Sequence, residues 1–154
     1  MGDRTYVSLY VPIELAEEAR NIIDKSEEGP AADEGEAREL AFFGFEQVNY
    51  GELHFLPDLK EAGIAYDGEW QAGSDYGSGV ESLRFTSEGE AKVITVYDQD
   101  KGIAIQALLD IQDNHEALKQ LIQKEAEGKI PLPWDNQVQY GKVYRLRQLI
   151  EPKE

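Results

Sequence analysis

The 154-residue chain carries 31 acidic against 15 basic residues, a formal net charge of −16, and no cysteine. The missing cysteines exclude disulfides, thiolate chemistry and cysteine-ligated metal sites. The charge argues against direct contact with nucleic acid or anionic membrane, and it would steer a basic protein, a basic peptide or a cation toward the surface. Acidity of this size also serves solubility alone.

The length predicts one globular domain over residues 1–154, with enough chain to bury a core without metal or disulfide staples. "MGDRTYVSLYVP" has neither the basic flank nor the apolar run of a signal peptide. No apolar stretch approaches the roughly 18 residues of a membrane span. The expected setting is therefore the cytoplasm.

"TYVSLYV" (5–11) alternates Val7, Leu9 and Val11 with Tyr6, Ser8 and Tyr10, the period of a strand. Pro12 opens a helix whose apolar stripe is Leu15, Ala19, Ile22 and Ile23, with Glu14, Glu17 and Glu18 at its positive end. Residues 24–39 hold seven acids, two bases and no aromatic residue, which predicts a mobile acidic surface loop. "LAFFGFEQV" (40–48) offers three phenylalanines as a second strand. "FLPDLKEAG" (55–63) places Pro57 near the start of a short helix and Gly63 past its end.

"IAYDGEWQ" (64–71) sends Ile64, Tyr66 and Trp70 to one side with Gly68 between them, and Asp67, Glu69 and Gln71 to the other. "AGSDYGSG" (72–79) is a long hairpin loop. "VESLRFT" (80–86), with Leu83 and Phe85 on one face and Arg84 on the other, and "AKVITVYD" (91–98) complete a three-stranded meander. A helix runs through "KGIAIQALLDI", and "DNHE" opens another as a capping box with Asp113 as N-cap. Gly128 ends that helix, and "IPLPWDN" is an extended connection. "YGKVYRLRQLI" fits either period and is taken as helix. The expected fold is α+β: a single antiparallel sheet of four or five strands with helices packed on one face.

Catalytic and metal motifs do not assemble. "GSDYGSG" lacks the Gly-Lys-Ser/Thr of a P-loop. "DQDKGIAIQALL" (98–109) puts its glycine at position five and Leu109 where a calcium loop needs a bidentate glutamate. His54 and His115 have no partner at metal spacing, and there is no G-x-S-x-G elbow. Asp67 and Glu69 share a strand face about 6.6 Å apart, a glycosidase-like spacing on what reads as an open, solvated face. No metal or cofactor is expected.

The acid–aromatic mixture carries the positive signal. Tyr and Trp are favoured interface anchors, and acids beside them select a basic partner. Tyr66 and Trp70 read as core; Asp75 and Tyr76 sit at the loop tip. The candidate partner-binding residues are Asp67, Glu69, Asp75 and Tyr76, with Glu27, Glu28, Asp33, Glu34 and Glu36 from the acidic loop. The stretch "GIAYDGEWQAGSDYGSG" resembles small acidic proteins of bacterial phages and plasmids, over the middle of the chain only. Some of that class block host restriction or CRISPR machinery by imitating DNA charge. The resemblance therefore implies a DNA-mimic inhibitor of a host nucleic-acid-binding or defence system. The residues themselves point to a non-enzymatic acidic binding protein for a basic protein surface. The alternative is a small enzyme or ligand-binding domain with its site at the 72–79 loop.

Overall fold

In the computed structural model, which describes residues 3–151, six antiparallel strands form one sheet in the order β2-β3-β1-β4-β5-β6. The strands are β1 (Arg4–Pro12), β2 (Asp33–Ala37), β3 (Leu40–Asn49), β4 (Tyr66–Trp70), β5 (Gly79–Phe85) and β6 (Ala91–Tyr97). Five α-helices accompany them: α1 (Ala16–Asp24), α2 (Leu56–Glu61), α3 (Ile105–Ile111), α4 (His115–Lys129) and α5 (Gln137–Ile150). The α+β class, the β4–β5–β6 meander and the helical reading of the C-terminal segment match the sequence expectation. No helix among the described residues is long and apolar enough to cross a membrane.

The alternation of β1 decides where the core lies. Val7, Leu9 and Val11 are buried on one face, opposite Phe45, Phe43 and Ala41 of β3. A register shift between Thr5 and Val7 coincides with Gln47 at φ 57°, an extra residue on β3. That bulge lets Phe45 and Val48, three residues apart, both turn inward. Ala19 and Ile23 of α1 and Leu59 of α2 close over these side chains. Burying a side chain such as Leu9 or Phe43 contributes about 1.5–3 kcal/mol each.

Several expectations are corrected. The sheet has six strands, because part of the predicted 24–39 loop is β2. Ladder hydrogen bonds are made by the backbone, so "DEGEA" pairs with β3 without burying any side chain; all five residues are exposed. Charged side chains also suit an edge strand, where they discourage further pairing. Helices cover both faces, not one. Ile94 and Val96 point away from the core face, in register with Ser82 and Val80, and are buried on the side where α4 packs against β6. The N-cap of α4 is Asn114, whose side chain accepts from the Ala117 N–H at 3.0 Å, one residue later than expected.

α5 docks through two contacts that no periodicity announces. Gly141 lies against the Gly63 carbonyl, and a Cβ there would collide with it. β4 begins at Tyr66, opposite Leu83, so the β5 backbone at Phe85 has no β4 neighbour. The buried Gln137 side chain takes that place. Its Oε1 accepts from Phe85 N–H at 2.7 Å and its Nε2 donates to Phe85 O at 2.9 Å.

Candidate functional site

The candidate residues fall in two parts of the surface, an aromatic-lined cleft and an acidic periphery. The first is a cleft of about 620 Å³ on the core face, where α1 and α2 leave β6 uncovered. Its floor is Gly68 and Glu81, cross-strand partners on β4 and β5. Gly68 falls in the inward alternation of β4, and its missing side chain creates the hollow; a Cβ there would meet nothing nearer than the Glu81 carbonyl at 3.9 Å. One wall is the segment from Tyr50 to Pro57, and the other is Thr95 and Tyr97 of β6.

Trp70 is half-buried. It packs on the core with one side and walls the cleft with the other. Its indole N–H donates to Gly77 O at 2.9 Å, and its ring meets Tyr97 edge-on at 5.6 Å between centroids. Gly79 and Gly51 make room for this ring, since a Cβ at either would strike it. Tyr76 packs against Tyr50 at 6.4 Å and brings the 72–79 loop to the rim.

Glu81 is half-buried and, among the described residues, has no ion-pair partner. Its one donor is the Tyr66 hydroxyl at 2.5 Å. Burial, the hydrogen bond to Glu81 and the carboxylate's charge all push the Tyr66 hydroxyl far above its ordinary pKa. Tyr66 therefore stays a proton donor to Glu81, a residue that lines the cleft.

The second part is the acidic periphery, where the eight acidic candidates fare differently; the ninth candidate, Tyr76, lies at the cleft. Asp67 pairs with Arg84 at 3.0 Å. Arg84 is only 3% exposed, also donates to Leu132 O and Tyr66 O, and lies over the Trp134 ring at 3.6 Å. Asp67 thus neutralises a buried cation and is not free for a partner. Glu28 accepts from the backbone N–H of His54 at 2.8 Å and from its Nδ1 at 2.9 Å. Burial alone would raise the Glu28 pKa, but these bonds and one from its own backbone hold it below the usual range. Asp33 accepts from the Tyr6 hydroxyl at 3.0 Å, and Glu34 pairs with Arg20 at 2.9 Å in an exposed contact.

Glu27, Glu36, Glu69 and Asp75 are exposed, and among the described residues their carboxylates have no ion-pair or hydrogen-bonded partner. Partial burial raises the Glu69 pKa, Asp67 and Asp98 raise it further, and Lys101 offsets part of this. Glu69 and Asp67 face away from the cleft, so the structure separates them from Tyr76 by the thickness of the sheet.

Among the described residues, no group of three or more His, Asp or Glu is placed to hold a metal ion. Neither histidine is hydrogen-bonded to a serine or threonine hydroxyl there. The residues missed from sequence are Glu81, Gly68, Tyr50 and Tyr97. Two of them had a readable signal: Gly68 interrupts an inward alternation, and Glu81 is an acid two residues before Leu83 on its inward face. Compared with known proteins, no family model, no curated protein and no solved structure matches the chain.

Proposed function

We propose that the protein is a non-enzymatic binding protein that engages a basic protein surface by presenting acids in the manner of nucleic-acid charge. The observation that carries this reading is the β2 edge. Asp33, Glu34 and Glu36 stand exposed on this strand, Glu34 and Glu36 on one face about 6.6 Å apart, close to the roughly 6.8 Å that two phosphates span along one DNA strand, and Asp33 on the other. The net charge of −16 supplies the long-range attraction. The Arg20–Glu34 pair does not oppose it, because an exposed ion pair is worth about 0–1 kcal/mol and exchanges readily for a partner's cation.

The test is capture of partners from a host lysate at low and high salt, with duplex DNA added as competitor. A basic partner that is released by salt and displaced by duplex supports the reading. A partner indifferent to both overturns it. Reversing Glu27, Glu36, Glu69 and Asp75 to lysine is expected to weaken capture while far-UV circular dichroism stays unchanged.

A second reading, a ligand-binding domain with its site at the 72–79 loop, is favoured by one observation. The Trp70 indole bond to Gly77 and the Tyr76–Tyr50 contact bring that loop to the rim of the cleft.

A further inference from the structure

We infer that the cleft over Gly68 and Glu81 is a binding site for a singly charged organic cation, an alkylammonium or alkylguanidinium group. The inference rests on the ligand-binding reading of the 72–79 loop and names the chemistry of its ligand.

A half-buried carboxylate is costly unless a cation or several donors satisfy it. Three other half-buried acids have a cation or at least two donors: Asp67 has Arg84, Glu28 takes the backbone N–H and ring of His54 on one oxygen, and Asp3 accepts from the backbone N–H groups of Ser74 and Asp75. Glu81, which lines the cleft, has a single hydroxyl donor, Tyr66, and its other carboxylate oxygen has no hydrogen bond among the described residues.

The walls decide what kind of cation fits. Trp70, Tyr97, Tyr50 and Tyr76 line the same cleft as Glu81, the first two and the last two in ring contact with each other. Aromatic faces attract an organic cation through their quadrupole and shelter its aliphatic stem. They offer almost nothing to a calcium ion, which needs six to eight oxygens. The volume, about 620 Å³, lies within the range of sites for small ligands. Gly68 sets the depth: the hollow beside Glu81 exists because β4 carries no side chain there.

A free metabolite and a lysine or arginine side chain of a bound protein share this chemistry. Short probes reveal the site, and N-acetyl arginine amide against an arginine-containing peptide separates the two sources. The Trp70 indole N–H is the reporter, followed by NMR and assigned with Trp70→Phe. Butylammonium and butylguanidinium are titrated in parallel with the neutral butylurea and the anionic butyrate, at constant ionic strength.

The expected result is a saturable shift of the Trp70 signal with the two cations and none with the others. Glu81→Gln should weaken cation binding at least about tenfold. Gly68→Leu should abolish it by filling the floor. Circular dichroism and melting checked on both variants separate loss of the site from loss of the fold; Glu81→Gln keeps an acceptor for Tyr66 if the leucine proves too large. If butylurea or butyrate binds as well as the cations, or if Glu81→Gln binds them like the native protein, the cationic class is wrong while the cleft remains a site. If no probe shifts Trp70, the ligand-binding reading of the loop falls with it.

Discussion

The β2 edge and the β4–β5 hairpin are both acidic, yet their charges do different work. On β2 all five side chains are exposed, and beyond its backbone bonds to β3 the strand makes only the surface contacts Tyr6–Asp33 and Arg20–Glu34. In the hairpin, burial sorts the acids. Asp67 neutralises the buried Arg84 on one face, while Glu81 stands half-buried on the other with a tyrosine for company. Acid on a solvated edge is free to act on something else, whereas acid in a partly buried strand is committed to the fold or to a ligand. Composition reports the sum of the two and cannot separate them.

The contrast breaks most visibly at Arg84. Arg84→Met would leave Asp67 with no cation and Leu132 and Tyr66 carbonyls with no donor, so a loss of about 3–5 kcal/mol is expected in urea unfolding. A midpoint like that of the native protein would show that the pair is solvated. Next in size is Gln137→Ala, which strips the substitute strand partner from Phe85. A loss of about 1–3 kcal/mol is expected for the orphaned backbone groups. Protection of the Phe85 amide from hydrogen exchange should fall with it.

Glu28→Gln sharpens the comparison within the acidic segment itself. At neutral pH it should cost about 1 kcal/mol, since two donors from His54 lose a charged acceptor. Glu28 has a folded pKa below its ordinary value of 4.5. Its stabilisation is therefore fully present above pH 4.5 and is lost as pH falls through the lower, folded value. Thermal melts of the native protein and the Glu28→Gln variant should differ at neutral pH and converge in acid. The smallest effect belongs to Glu27→Gln and Glu36→Gln, each within about 0.5 kcal/mol, because neither carboxylate touches anything that folding must satisfy. A larger fall in melting temperature would show that the edge is packed.

Much of the architecture was legible because period two is strong in this chain. Val7, Leu9, Val11, Leu83 and Phe85 announce their faces, and Gly63 ends α2 as Gly and Pro punctuation suggests. β2 was not legible. Its residues carry no apolar alternation, and its only warrant is the exposed edge of β3. Nor were the docking of Gly141 on Gly63 and the Gln137 bridge, since both depend on partners 52 or more residues away.

The site was half legible. The 66–79 stretch does bring Trp70 and Tyr76 to one cleft, and Asp67 and Glu69 face the other way from Trp70, as the alternation predicts, so they do not join Tyr76 in one site. The acid that does face the aromatics is Glu81, which strand alternation with Leu83 could have placed. Tyr50 and Tyr97 come from distant segments that only the sheet order brings together.

The central claim is that the exposed acids bind a basic protein surface. The most direct measurement is the partner's affinity by calorimetry from about 50 to about 500 mM salt, for the native chain and for the protein with Glu27, Glu36, Glu69 and Asp75 neutralised. The native affinity should fall steeply with salt, and the neutralised protein should bind more weakly with a shallower slope. Equal affinity at both salt extremes, or a slope unchanged by the four substitutions, would contradict the claim and leave the acidity of this chain as a device for solubility.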